Sequence, residues 1–256
     1  MTVAPHFGPA RLLIIWMHHS PYGFDAWETC TTCPWRTEDF FCAVSDETLT
    51  LFESIAFTNI YPAGSTLYSE GDNARALYVI CKGAVKLSVA SGDGKTLITH
   101  IAHAGEALGL SSAFAGHEYK TTAETLEPTQ VKVMRREEFL RLANNNLETS
   151  RRACRQLSND CDAANDHIRA IGLSHSAAEK LAHLILTWAS QNGRASENGT
   201  KVPVLMTHHD ISQLIGTSRE TVTRLLKEFR ERGIVTVKGS TLTIHNRTAL
   251  EALVTM

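Results

Sequence analysis

Between Leu49 and Val133 apolar and polar residues alternate in short runs cut by Gly, Asp and Pro. TNIYPAGSTLYSEGD and ALYVICKGAVKLSVASGDGKTLITHIAHAGEALGL carry the period-two pattern, with turns expected at Pro62-Ala63-Gly64, Gly71-Asp72 and Gly92-Asp93-Gly94. Short strands at such regular spacing predict a compact antiparallel barrel or sandwich. The period then changes. Cys154, Leu157, Cys161, Ala164, Ile168 and Ile171 are spaced 3-4-3-4-3, a heptad seam flanked by Arg152, Arg155, Asn159, Asp160 and Asp162. A stripe this narrow on a polar helix predicts pairing with another helix; packing on its own barrel is the alternative. A second helix is expected over Ser176 to Asn192, with Leu181, Leu184, Ile185 and Trp188 on one face, then a polar loop from Gly193 to Lys201.

The segment MTHHDISQLIGTSRETVTRLLKEFRERGIVTVKGSTLTIHN reads as helix, tight turn, helix and β-hairpin. Thr207 and Asp210 form a capping-box-like start. Gly216 supplies the turn, because only glycine enters the left-handed region without penalty. Ser218 caps the next helix, on which Val222, Leu225, Leu226 and Phe229 form an apolar stripe. Its other face shows Arg219, Glu220, Thr223, Arg224 and Lys227, and Lys238 lies in the hairpin turn with Gly239 and Ser240. Arginine can donate two hydrogen bonds to guanine and glutamate can accept from cytosine, so this helix suits the major groove of double-stranded DNA.

Composition limits the partners. The chain of 256 residues has 25 basic and 27 acidic side chains, so no global charge attracts nucleic acid or membrane. From Ser218 to Lys238, six basic residues face three acidic ones, a local excess suited to phosphate contacts. The apolar run Leu12 to Met17 is far short of a bilayer span and lacks the features of a secretory leader. The chain therefore reads as soluble and cytoplasmic, with no membrane partner, and Met17 is a second candidate start beside Met1. Six cysteines without a leader argue against a disulfide scaffold and leave metal binding, redox chemistry or simple burial. Walker A, nucleophile-elbow, HExxH and paired-carboxylate motifs are all missing, so the chain does not read as an enzyme.

TSRETVTRLLKEFRERGIVTVKGSTLTI resembles the winged helix-turn-helix of the CRP/FNR transcription regulators, and YPAGSTLYSEGDNARALYVICKGAVKLS resembles their cyclic-nucleotide-binding-type β-roll. The resemblance covers roughly residues 43 to 250. It implies an α+β chain with a β-roll, a long dimerisation helix and a C-terminal winged helix-turn-helix. The divisions expected are an N-terminal extension over 1–42, a sensing unit over 43–146, the dimerisation helix over 147–174 and a DNA-binding unit over 175–256. It further implies a homodimer paired along the heptad seam, a palindromic operator with TGA-type half-sites read by Arg219, Glu220 and Arg224, and RNA polymerase as a partner. Thr223 stands where the oxygen-sensing branch usually has Ser. A winged-helix protein that makes protein contacts only is the competing reading; it predicts no salt-dependent DNA binding.

The signal is less plainly written. Cyclic-nucleotide members share a phosphate cassette, and the matching stretch here is ALGLSSAFAGHEYKTTA. Leu110 replaces the acidic residue that takes the ribose, and Lys120 replaces the phosphate arginine. An ammonium lacks the bidentate fork of a guanidinium, which disfavours a cyclic nucleotide. The oxygen-sensing branch places a cysteine cluster ahead of the β-roll to hold a [4Fe–4S] cluster. Cys30, Cys33 and Cys42 stand in the matching place, and thiolates suit iron–sulfur chemistry. The last gap is longer than the family's, and its fourth cysteine aligns near TQVKVMRREEF, which has none. A fourth ligand must come from Cys81, a His or Asp, or a partner chain, with burial in a strand the leading role for Cys81. Zinc with help from His18 and His19, a thiol switch, haem or nitric oxide sensing, and no role at all stay open. Cys154 and Cys161 lie in the seam, where each would face its symmetry mate and a disulfide across the dimer is conceivable.

Overall fold

A computed structural model describes residues 26–27 and 29–254; Leu12 to Met17, His18 and His19 lie outside the described residues. Ser45 accepts a hydrogen bond from the Thr48 amide and opens helix α1 (Asp46–Ile55), which buries Thr48, Leu49 and Phe52. The strand pattern expected from Leu49 therefore begins at Ala56. Leu49 and Phe52 are three apart, and that spacing puts both on one helical face.

Eight strands follow: β1 (Ala56–Tyr61), β2 (Thr66–Tyr68), β3 (Ala76–Lys82), β4 (Ala84–Ala90), β5 (Thr96–His103), β6 (Ala107–Leu108), β7 (Thr122–Thr125) and β8 (Thr129–Arg135). A short helix, α2 (Leu110–Ala115), separates β6 from β7. They form two antiparallel sheets ordered β1-β8-β3-β6 and β2-β7-β4-β5. Ile80, Val85, Ala102, Ala123 and Val131 meet inside the roll, all fully buried. The turns fall where the sequence places them, at Gly64, Gly71 and Gly94.

Helix α3 (Arg136–Asn145) leads into the 26-residue helix α4 (Leu147–Gly172), capped by Asn146. Thr149 and Ala153 are the buried residues of α4, and Leu157 of the seam joins Ala153 against the core of the roll. On the seam Cys154, Cys161, Ala164 and Ile168 are exposed, Ile168 by 67%, while Leu157 and Ile171 are half-buried. No helix among the described residues is long and apolar enough to cross a membrane.

Beyond α4 the chain forms α5 (Ala177–Asn192), β9 (Arg194–Ser196), β10 (Gly199–Pro203), α6 (His208–Leu214), α7 (Arg219–Glu231), β11 (Val235–Lys238), β12 (Thr241–Ile244) and α8 (Arg247–Val254). The stretch expected as a polar loop is instead the β9–β10 hairpin, which joins the wing in a sheet ordered β11-β12-β10-β9. Leu181, Ile185, Ile211, Val222, Phe229 and Leu242 make the core of this unit.

A cluster of titratable groups lies where β5 meets α4. His100 Nε2 is 2.7 Å from Glu106 Oε2, and Asp160, His103 and His167 share the neighbourhood. Burial pushes His100 down, but the hydrogen bond and charge of Glu106 overturn this, and its pKa is raised above 6.5. A raised histidine contributes stability that is full below its unfolded pKa and fades as pH rises through the folded one. The stability lost in His100→Gln is therefore expected to be largest below pH 6.5 and to shrink as pH rises above it. Urea unfolding of both proteins across that range checks it. Burial lowers His103 and His167, and the neighbouring His100 charge lowers them further.

Candidate nucleic-acid interface and cysteine pocket

Helix α7 is built as an exposed reading face over a buried stripe. The Ser218 side chain accepts from the Thr221 amide at 3.1 Å and fixes the first turn. Val222, Leu225, Leu226 and Phe229 are buried, which turns Arg219, Glu220, Thr223, Arg224 and Lys227 to the outside, all exposed. Glu220 is held below the usual carboxylate range by the backbone amide and the Ser218 hydroxyl at the helix start. Arg224 lies 3.9 Å from Glu228 and Lys227 3.8 Å from Glu231, loose pairs that leave both cations available to a polyanion. Lys238 is exposed at the tip of the β11–β12 hairpin, next to Gly239. The structure thus gathers Ser218, Arg219, Glu220, Thr223, Arg224 and Lys227 on one helix, with Lys238 on the wing. The sequence reading missed His208, whose Nδ1 is 2.9 Å from Thr223 Oγ1 at the edge of this face. Only its position one residue after a helix cap hinted at it.

A buried ion pair ties this unit to the β-roll. Lys86 on β4 lies 2.8 Å from Asp210 on α6 and 3.0 Å from Glu124 on β7. Asp210 also closes the capping box expected with Thr207, accepting from the Thr207 hydroxyl at 2.6 Å and its amide at 3.0 Å. Burial opposes its charge, but Lys86 and Thr207 hold its carboxyl below the usual range. Gly216, at φ +64°, makes the α6–α7 turn against Ile171 of α4 and Leu97 of β5.

The N-terminal cysteines form a second constellation. Residues 27 and 29–42 lie as a flap over the outer face of the sheet β1-β8-β3-β6. The Gln130 side chain bonds both the amide and the carbonyl of Trp27, Phe41 N–H donates to Gly105 O at 2.7 Å, and the Cys30 amide donates to Glu53. Gly105, at φ +96°, is required here, since a Cβ would strike the Phe40 ring. Flap and sheet enclose an apolar cavity lined by Cys30, Cys33 and Cys42 from above, and by Cys81, Lys132 and Met134 from below. It holds about 30 Å³, room for about two waters. Among the described residues no three His, Cys, Asp or Glu side chains converge within reach of a single metal ion. Burial pushes the Cys30 thiol up, Cys42 up to about 11 and Cys81 up to about 12, while the Lys132 ammonium pulls Cys30 and Cys81 back. As free thiols these three are protonated at neutral pH and slow toward oxidants. Cys154 and Cys161 are exposed on α4 and do not line the cavity.

In the cassette region Leu110 is buried at the start of α2, a core residue rather than a ligand-facing one, and Lys120 is exposed. The Tyr119 ring stacks on Tyr68 at 3.9 Å, so aromatic side chains fill the roll beside it.

Comparison with known proteins agrees with this architecture. Residues 58–146 match the cyclic nucleotide-binding domain and residues 179–253 the Crp-like helix-turn-helix domain. The chain is 29% identical over 190 residues to the fumarate and nitrate reduction regulatory protein of Salmonella typhimurium, covering 74% of this chain and 75% of that protein. It is 25% identical over 203 residues to the cAMP-activated global transcriptional regulator CRP of the same organism, covering 78% and 95%. Among solved structures, FixK2 from Bradyrhizobium japonicum matches with a TM-score of 0.67 at 24% identity, over 78% of this chain and 97% of that one. The c-di-GMP responsive regulator CLP of Xanthomonas campestris matches with a TM-score of 0.69 at 19% identity, over 79% and 100%. The β-roll, the long helix and the exposed basic reading helix are thus the parts of one known architecture, and the chain belongs to the CRP/FNR family of DNA-binding transcription regulators, which are not enzymes.

Proposed function

We propose that the protein works as a homodimer that reads a palindromic TGA-type operator, and that its grip on DNA is set by oxygen or redox chemistry at the cysteine pocket. The observation that carries the reading is the first turn and a half of α7, where Arg219, Glu220 and Arg224 stand exposed on one face over a buried stripe. Recognition helices direct this part at base edges. The exposed stripe Cys154, Cys161, Ala164 and Ile168 on α4 supports pairing across a twofold axis. It contains no charge, so a permanent dimer that reorients its reading units suits it better than one that falls apart. On this reading 43–146 is the sensing unit, 147–174 the dimerisation helix and 175–256 the reader, with RNA polymerase the downstream partner.

For the signal, a [4Fe–4S] cluster held by Cys30, Cys33 and Cys42 is favoured over a simple thiol switch, because the three thiols line one apolar cavity ahead of the β-roll. The cavity suits such a group in donor type and in its apolar lining, and the nearby cations Lys132 and Arg36 suit its negative charge. Among the described residues the thiols do not converge on one metal position and the cavity holds about 30 Å³, so this arrangement does not accommodate the group as it stands. When bound, a cluster would supply one-electron and oxygen chemistry, while the chain's own part is to hold the flap against the sheet in one arrangement or another.

Arg224→Ala is expected to weaken binding to a TGA-containing palindrome by about 1–3 kcal/mol, with the loss concentrated at one base pair of each half-site. Fluorescence anisotropy with wild-type and single-substituted duplexes measures this. Unchanged affinity and unchanged base preference would contradict the reading.

A further inference from the structure

We propose that His208 fixes the Thr223 hydroxyl so that Thr223 reads the 5-methyl group of a thymine in each half-site. This rests on the operator reading above and adds a methyl contact to the polar contacts of Arg219, Glu220 and Arg224. Thr223 is exposed on the reading face, directly before Arg224 and on the same side of α7 as Glu220. A threonine at such a place has two things to offer a base, its hydroxyl and its methyl. The hydrogen bonds around it decide between them.

Thr223 Oγ1 lies 2.9 Å from the carbonyl oxygen of Arg219, one helical turn back. Two oxygens come this close only with a proton between them, and the carbonyl has none, so the hydroxyl donates. His208 Nδ1 lies 2.9 Å from the same Oγ1. The single hydroxyl hydrogen is already engaged, so His208 must carry a proton on Nδ1 and donate it to Thr223. Thr223 then has no proton left for a base acceptor such as thymine O4 or guanine N7. Its oxygen is tied to the helix backbone on one side and to α6 on the other. This holds χ1 in one well and leaves the γ-methyl as the group presented to a groove. In the major groove the counterpart of a threonine methyl is the thymine methyl.

The start of α6 keeps His208 in place. It is the first residue of that helix, directly after Thr207, and the Thr207–Asp210 capping box fixes the turn on which it stands. Asp210 is held in turn by Lys86 of the β-roll at 2.8 Å. The imidazole therefore reaches Thr223 from a pinned backbone and is itself half-buried. Its role is positioning, since the group it touches is Thr223 and not a base.

The probe is a labelled palindromic TGA-type duplex with a thymine also on each flank of the TGA. Each thymine is replaced in turn by deoxyuridine, which removes the methyl and nothing else. Wild-type protein is expected to bind about fourfold more weakly per half-site at one thymine, the worth of one buried methyl-sized group, and to change least at the others. Thr223→Val is expected to keep this discrimination and Thr223→Ser to abolish it; a hydroxyl contact predicts the reverse. His208→Leu should blunt the discrimination, and His208→Asn, whose amide can donate from about the Nδ1 position, should restore it. Selective binding with equal affinity for thymine and uracil at every position, or discrimination kept by Thr223→Ser and lost by Thr223→Val, would overturn the methyl assignment and leave the operator reading standing. Full discrimination in His208→Leu would overturn the positioning role of His208. No selective binding to the unsubstituted duplex would overturn the operator reading and this inference with it. The uracil series needs wild-type protein alone, so it decides even where a variant fails to fold.

Discussion

Phe229→Ala is expected to destabilise the reading unit by about 3–5 kcal/mol, the range found for truncating a buried phenylalanine. Phe229 is fully buried at the centre of that unit's core, among Leu181, Ile185, Val222 and Leu242. Its carbonyl also accepts from the Ile234 amide at 2.8 Å, at the turn from α7 into the wing. Removing the ring leaves a cavity beneath the helix that presents Arg219 and Arg224. A domain of this size has a total stability of about 5–15 kcal/mol, so the loss is a large share. Urea denaturation should show the reader's midpoint fall sharply, and DNA affinity should fall with it. A midpoint within experimental error of wild type would contradict the packing described.

Lys86→Met should cost about 3 kcal/mol, near the lower end for removing one partner of a buried pair. The Lys86 side chain is 14% exposed and that of Asp210 9%, so the carboxylate left behind is poorly hydrated. Part of its charge stays satisfied by the Thr207 amide and hydroxyl, which argues for the lower figure. Glu124, at 36% exposure, adds little. Because Lys86 belongs to the β-roll and Asp210 to the helix-turn-helix, the variant should loosen the reader from the sensor, not only lower a midpoint. Limited proteolysis near residues 173–176 and a denaturation curve split into two transitions would report this. The double variant Lys86→Met/Asp210→Asn is expected to recover part of the loss, since it removes the orphaned charge. Equal losses in the single and double variants would show that the pair is not the tie.

The reading helix was legible because each of its determinants is local. Ser218 caps it, Gly216 breaks the chain before it, and a four-residue stripe orients it, all within 14 residues. The heptad stripe of α4 was equally legible, and its exposure fits a face awaiting a partner. Helix α1 was misread because DETLTLFESI alternates partly like a strand; its Ser45 cap and the burial of Leu49 and Phe52 on one face decide for helix. The β9–β10 hairpin was missed because its residues are polar and mostly exposed, and β10 is ordered chiefly by pairing with β12 from 40 residues later.

The sites divide in the same way. Asp210 was visible as a cap, but nothing near it in the chain announces Lys86, which is 124 positions away. Cys81 looked like a small hydrophobe because LYVICKGAV is a strand, and strand periodicity alone cannot say what covers each face. Only the fold shows that its face is the one under the flap, beside three other thiols. Long-range placement, not residue type, was the missing information.

The central claim, that a cysteine pocket governs a DNA-reading helix, is tested most directly by one binding isotherm measured twice. Protein purified without oxygen is titrated against a labelled palindromic TGA-type duplex, then exposed to air and titrated again at the same salt concentration. The account predicts salt-dependent, sequence-selective binding in the first state and a changed affinity in the second. Identical isotherms before and after air, or no selective binding in either state, would contradict it.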